Sequence, residues 1–221
     1  MLEKGLIKLG LDIDEKLLAL LTKYIEEIEL FNPAYGLIKV KDRNELVVKH
    51  ILDSLAPLQI IRDLQDKAVL QNRQAEIADV GSGAGLPGIP LALCLPGAEF
   101  TLVERMARRA GFLRNVQALL GLANVRVEEA EMESISPGQF DLVVFRAFRP
   151  FTLPIFKGLI ALLKPEGIIA AYKGRLESID EEMTALRSSI GNRRTLTWEI
   201  LPLEVPFLNE ERHLVLIPSL S

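Results

Sequence analysis

The sequence predicts an α/β fold: a mostly parallel seven-stranded sheet with helices on both faces, preceded by a helical extension. Three observations carry this. Apolar residues recur at helical spacing through the first third of the chain, and after Ala75 they switch to short buried runs that alternate with amphipathic helices. A glycine-rich turn, Gly81-Ser82-Gly83-Ala84-Gly85, joins the first of those runs to its helix. With 221 residues, the chain is long enough for one sizeable core plus an extension. Residues 1–74 are expected to pack on 75–221 within one compact unit. Its 49% hydrophobic and 25% charged residues exclude a disordered chain.

Asp12 or Asp14 caps a first helix running to about Phe31, with Leu17, Leu18, Leu21, Tyr24, Ile25 and Ile28 as its apolar stripe. Asn32-Pro33 ends it, and Tyr35–Asp42 is a loop or extended piece. A second helix covers Glu45–Asp63 in two parts, interrupted at Pro57. Strands follow at Ile77–Val80, Phe100–Val103, Asn124–Val127, Phe140–Phe145 and Gly167–Tyr172. Helices between and after them fall at Gly88–Leu95, Met106–Leu120, Pro154–Leu163 and Ile179–Ser189. Thr195–Leu201 and His213–Pro218 close the sheet, joined by Pro202–Arg212.

The composition removes several classes of function. The single cysteine, Cys94, permits no internal disulfide, and with only His50 and His213 there is no zinc signature. No segment resembles a nucleophile elbow. The opening MLEKGLIKLG lacks a signal-peptide core, and the apolar stretch Leu86–Leu95 is broken by Pro87 and Pro90, so a cytoplasmic, unanchored protein is expected. A net charge of -4 argues against clamping long nucleic acid such as DNA, while leaving room for a local positive rim.

The glycine turn carries the chemistry. Gly81, Gly83 and Gly85 let the backbone turn sharply and pass close to a ligand, although a tight turn without a ligand has the same pattern. No Gly-Lys-Ser/Thr follows, so it is not a phosphate loop, and Leu86 stands where the nicotinamide fingerprint needs its third glycine. Asp79 precedes the turn. A carboxylate there would repel a pyrophosphate and favour the sulfonium and ammonium of S-adenosylmethionine. Glu104 ends the second strand, close to the interval of roughly 20 residues at which an acidic side chain accepts the ribose hydroxyls of an adenosine. Ser82 and Leu86 complete the loop. Met132, flanked by Glu131 and Glu133, is placed to cover the adenine. Arg146 and Lys173 end the fourth and fifth strands on the carboxyl rim and are the first choices for holding substrate. His50 is either a structural residue beside Asp53 or an active-site contact.

The segments Pro33-Ala34-Tyr35-Gly36-Leu37, His50-Ile51-Leu52-Asp53-Ser54, Asp79 through Pro90, Arg146-Ala147-Phe148, Lys173-Gly174 and Glu211-Arg212-His213-Leu214 occur in an order that resembles the bacterial ribosomal RNA small-subunit methyltransferase G family, also called glucose-inhibited division protein B. The likeness spans about residues 20 to 218. It implies a Rossmann-like class I methyltransferase fold, S-adenosylmethionine as cofactor, and N7 methylation of one guanosine in the decoding-region loop of 16S ribosomal RNA. By resemblance, cofactor contacts fall on Gly81, Leu86, Met132-Glu133 and Arg146. The chain departs from the family at Gly36-Leu37-Ile38, Glu131 and Phe145.

Guanine N7 carries a lone pair and no hydrogen, so no general base is needed. Arg146, Lys173 and His50 would orient and position substrate. Contact with 16S ribosomal RNA or the small subunit would use Lys39, Lys41, Arg43, Lys49, Arg105, Arg108, Arg109, Lys173 and Arg175, with Arg105, Arg108 and Arg109 forming a helix stripe. Aromatic residues are few, which favours recognition of folded RNA over base stacking. No metal is expected, and a monomer is. Small-molecule methylation and a non-catalytic ribosome-assembly role remain as competing readings.

Overall fold

The computed structural model describes residues 1–69, 73–146, 151–190 and 196–219. Six helical pieces, five of them α-helical and one π-helical, open the chain. α1 (Leu2–Lys8) was not foreseen; it buries Leu6 and packs Gly5 so closely on Leu52 that a Cβ would collide there. α2 (Glu15–Tyr35) is capped by Asp14, whose Oδ1 accepts the Leu17 N–H at 2.6 Å, settling the choice between Asp12 and Asp14. It runs through Pro33, against expectation. In the last turn a proline forfeits one backbone bond without breaking the helix, which ends instead at Gly36, φ 58°, whose N–H closes on the Asn32 carbonyl.

Asp42 caps α3 (Arg43–Leu46), which widens into a π-helical turn (Val47–Leu52) and returns to α-helix in α4 (Asp53–Leu55). After a turn at Pro57, α5 (Leu58–Val69) carries on past the predicted end at Asp63. A π turn is invisible to a 3.6-residue pattern, yet such turns mark functional sites. Here it buries Val47, Val48, Ile51 and Leu52 while His50 lines a cleft.

The remaining elements are β1 (Glu76–Val80), α6 (Gly88–Cys94), β2 (Glu99–Val103), α7 (Ala107–Leu120), β3 (Val125–Glu128), a 3₁₀ turn (Met132–Ser134), β4 (Phe140–Arg146), α8 (Leu153–Leu162), β5 (Leu163–Lys173), α9 (Leu176–Ile190), β6 (Glu199–Pro202) and β7 (His213–Pro218). The strands form one seven-stranded sheet in the order β3-β2-β1-β4-β5-β7-β6. Every neighbouring pair from β3 to β5 is parallel, and β7 runs antiparallel to both β5 and β6. β5 starts at Leu163, earlier than the expected Gly167, because Leu163 pairs with Phe140 before a register shift whose extra residues lie in β5. The expected start of β6 at Thr195 lies outside the described residues.

Strand alternation sorts the core onto two faces. Ile77, Leu142, Val144 and Leu214 join Tyr24, Ile28, Ile51, Ile89 and Phe112 in one cluster, whereas Ala78, Val143, Phe145 and Ile169 join Phe156, Leu159 and Met183 in the other. The opening helices thus share a core with the sheet. Two buried phenols tie them down further: Tyr24 donates to the Ala84 carbonyl at 2.7 Å and Tyr172 to the Ser54 carbonyl at 2.9 Å. Among the described residues no helix is long and apolar enough to cross a membrane.

Candidate active site

The order of the sheet reverses between β1 and β4, and the carboxyl ends of those strands open a crevice, the usual place for ligands in such sheets. The glycine turn lies on its floor. Gly81 and Gly83 adopt φ of 73° and 58°, a region that excludes most side chains, and both line the crevice. Gly85, φ 92°, answers a different need. Its Cβ would stand 2.6 Å from Ile89 Cγ1 and 3.0 Å from Leu113 Cδ2, so it serves helix packing and does not line the crevice.

Asp79 also departs from the expectation of a carboxylate facing a sulfonium. It is fully buried and off the cleft wall, with Oδ2 accepting the Gly88 N–H at 2.9 Å and Oδ1 without a partner. Burial raises its carboxyl to about 7, opposed by the Gly88 bond and the Arg146 charge. Its work is to fasten the turn to the start of α6, aided by Ser82, whose hydroxyl donates to the Asp79 carbonyl at 2.7 Å. Gly88 is the counterpart. A Cβ there would collide with Leu102 and sit 2.6 Å from Asp79 Oδ2. Gly88→Ala is therefore expected to lower unfolding free energy by about 1–3 kcal/mol, the usual cost of overpacking. Urea titration checks it, and an unchanged midpoint would mean that Asp79 and Leu102 yield without cost.

Glu104 is buried at the end of β2 and binds the glycine turn directly. Its Oε2 accepts the Gly83 N–H at 3.0 Å and its Oε1 the Met106 N–H at 2.9 Å, leaving one further lone-pair direction on each oxygen. Beside it lies a cavity of about 210 Å³ lined by Gly81, Val103, Glu104, Met106, Ala130, Glu131 and Met132 among others. Met132 is buried and lines the cavity, whereas Glu133 is exposed and does not line it. The polar neighbour of the cavity is Glu131. The 3₁₀ turn beginning at Met132 swings Glu133 outward.

On the other side of Gly81 opens a cleft of about 890 Å³. Arg146 crosses its floor, only 14% exposed in its side chain. One terminal nitrogen donates to the Lys49 carbonyl and to Asp53 Oδ2, both at 2.8 Å; the other meets His50 Nδ1 at 2.8 Å. Asp53, buried, accepts Arg212 Nε on its second oxygen at 3.1 Å. Arg146, expected as a first choice for holding substrate, is thus braced on three protein acceptors. Since arginine stays charged, His50 must offer a bare Nδ1, and burial together with Arg146 lowers its pKa to about 3. Lys173 on the same rim is gripped by Glu182 of α9 at 3.0 and 2.7 Å and sits 4.5 Å from the Phe151 ring centroid.

Of the nine basic residues expected to meet RNA, Lys39, Lys49, Arg109 and Lys173 line this cleft. Arg43 is paired with Glu29 and Glu26, and Arg105 with Glu131. Lys41 and Arg175 are exposed and lie off the cleft wall. Nor do Arg105, Arg108 and Arg109 form a helix stripe. Arg105 precedes α7, while Arg108 and Arg109 donate to the Ala34 and Gly36 carbonyls at the end of α2. Arg109 lines both cavities, and its buried Nε has no partner. Asp53, Glu182 and Arg212 were missed as site residues. For Asp53 and Arg212 the signal was present, since each lies in a segment that carried the family resemblance.

Comparisons with known proteins agree with this architecture. Two solved structures share the fold: a SAM dependent methyltransferase from Aquifex aeolicus, with TM-score 0.51, 18% identity, and coverage of 73% of this chain and 98% of that one; and a predicted O-methyltransferase from Agrobacterium tumefaciens, with TM-score 0.51, 24% identity, and coverage of 76% and 79%. At the sequence level the chain is similar to the ribosomal RNA small subunit methyltransferases G of Treponema denticola, at 36% identity over 97% of this chain and 92% of that relative, and Nitrosococcus oceani, at 37% over 97% and 92%. The model of the family described as GidB, rRNA small subunit methyltransferase G, matches residues 17–215, and the chain belongs to that family.

Proposed function

We propose that this protein transfers the methyl group of S-adenosylmethionine to N7 of a guanosine in the decoding-region loop of 16S ribosomal RNA. The observation that carries the reading is the meeting of two cavities at Gly81 and Arg109, at the carboxyl ends of β1 and β4, in a chain of this family. The residues present fit the cofactor. The open lone pairs of Glu104 suit ribose hydroxyls, the apolar Met132 suits an adenine face, and the unpartnered Nε of Arg109 offers a donor between the two spaces. Bound there, S-adenosylmethionine supplies an activated methyl on a cationic sulfur.

The chain's own part is binding and orientation. Each acid lining the larger cleft is already committed: Asp53 to Arg146 and Arg212, Glu182 to Lys173, Glu210 to Lys49 and Arg212. His50 presents its Nδ1 to Arg146. Among the described residues no carboxylate of the cleft is free to take a proton, which suits an acceptor nitrogen that has none to lose. Its cations, Lys39, Lys49, Arg109, Arg146, Lys173 and Arg212, outnumber those acids and suit a phosphodiester backbone.

Incubating the protein with labelled S-adenosylmethionine and, in parallel, naked ribosomal RNA and small subunits is expected to yield label in 7-methylguanosine from the small-subunit RNA. Absence of label from every RNA form would overturn the reading.

A further inference from the structure

We infer that Lys49 and Arg212 form a subsite for one backbone phosphate of the RNA substrate, and that Glu210 fills it with its own carboxylate until the RNA displaces it. The inference rests on the proposed RNA substrate and adds a contact point and a competitor within the same cleft.

The two cations come from places remote in the chain, the π-helical turn and the residue before β7, yet converge on one carboxylate. Lys49 Nζ lies 3.0 Å from one Glu210 oxygen and an Arg212 terminal nitrogen 2.9 Å from the other. All three residues line the larger cleft. Two oxygens held by two cations from different elements match the way a phosphate presents its non-bridging oxygens. The hold on Glu210 is strong enough to lower its pKa, through the bonds from Lys49 and Arg212.

Glu210 does not build this arrangement. Lys49 is separately anchored by Glu45 at 3.2 Å, and Arg212 by Asp53 Oδ1 at 3.1 Å and the Glu211 carbonyl at 2.8 Å. With Glu210 removed, both cations keep a second tether. The Glu210 side chain is 47% exposed, so water and ligands reach it and its displacement costs little. Asp53 bridges Arg212 to Arg146, which places this phosphate beside the floor of the cleft. An internal anion at such a place keeps the cations apart from stray anions and leaves their charge available to a stronger one.

The test is binding of full-length protein to small ribosomal subunits at several salt concentrations, without added cofactor. Glu210→Gln keeps size and removes the charge. It is expected to tighten Kd about two- to fivefold at low salt, or roughly 0.4–1 kcal/mol, within the range of an exposed ion pair, and the gain should shrink as salt rises. Lys49→Gln is expected to weaken binding, lower the salt slope by about 0.7–0.9, and cancel the gain when combined with Glu210→Gln. An unchanged or weakened Kd for Glu210→Gln would overturn the inference, because a merely structural Glu210 predicts that outcome. Failure of the methyl-transfer reading is distinguishable, since it shows as subunits bound but never methylated.

Discussion

Arg146→Ala is expected to cut methyl transfer at least about a hundredfold, on the scale of losing a positioned donor or misplacing substrate by an ångström, and to destabilise the fold by about 3 kcal/mol. Both effects follow from one guanidinium. It lies at the end of β4 and unites the Lys49 carbonyl, Asp53 and His50, and so holds the π-helical turn against the sheet. Without it the buried Asp53 keeps only Arg212, the Lys49 carbonyl loses its donor, and the His50 lone pair faces nothing. The stability loss belongs at the lower end for broken buried pairs because Arg212 remains. Arg146→Lys separates charge from geometry. An ammonium on a flexible stem can meet Asp53 but cannot span three acceptors as a planar fork does. It should recover much of the stability and little of the rate. Urea titration with kcat/KM on small subunits reads both, and a lysine variant with full activity would show that charge alone suffices.

What the sequence revealed and what it hid follow from the range of the interactions involved. The Gly81–Gly85 turn, Glu104 and the strand ends at Arg146 and Lys173 are local features, and short-range pattern was enough to place them on one edge of the sheet. The roles within that edge were less legible. Asp79 reads as a ligand carboxylate from its place before the turn, yet one bond to Gly88 turns it inward. Glu131 and Glu133 differ only in which way a three-residue 3₁₀ turn throws them. Arg212 is 159 residues from Asp53 and Arg146 is 93, so the brace across the cleft exists only after folding. α1 escaped notice because its seven residues are too few to show a period, and it owes its place to Leu6 and Gly5 packing on the helices behind it.

Two titrations of opposite sign should pass unseen in the intact protein and emerge in its variants. The Asp79 carboxyl is raised from 3.8 to about 7 by burial. A folded state that holds a proton more tightly than the unfolded chain gains from it at low pH, so this contribution is full below about 4 and lost as pH rises to 7. The His50 imidazole moves the other way, from 6.5 to about 3, through burial and the facing Arg146. Its contribution is full above about 6.5 and lost as pH falls toward 3. Each amounts to about 4–5 kcal/mol at 1.36 kcal/mol per unit. Between about pH 4 and 6.5 the two slopes nearly cancel. Asp79→Asn, neutral at every pH, leaves the histidine slope, so relative to wild type its stability should rise with pH across that window. His50→Asn keeps an oxygen to accept from Arg146 and leaves the aspartate slope, so its relative stability should fall. Carboxylates elsewhere contribute equally to all three proteins and drop out of the differences. Urea unfolding at half-unit steps of pH reads both trends. Parallel profiles for Asp79→Asn and wild type would mean that Asp79 ionises like any surface aspartate, and that the buried tie from the glycine turn to α6 carries its charge without penalty.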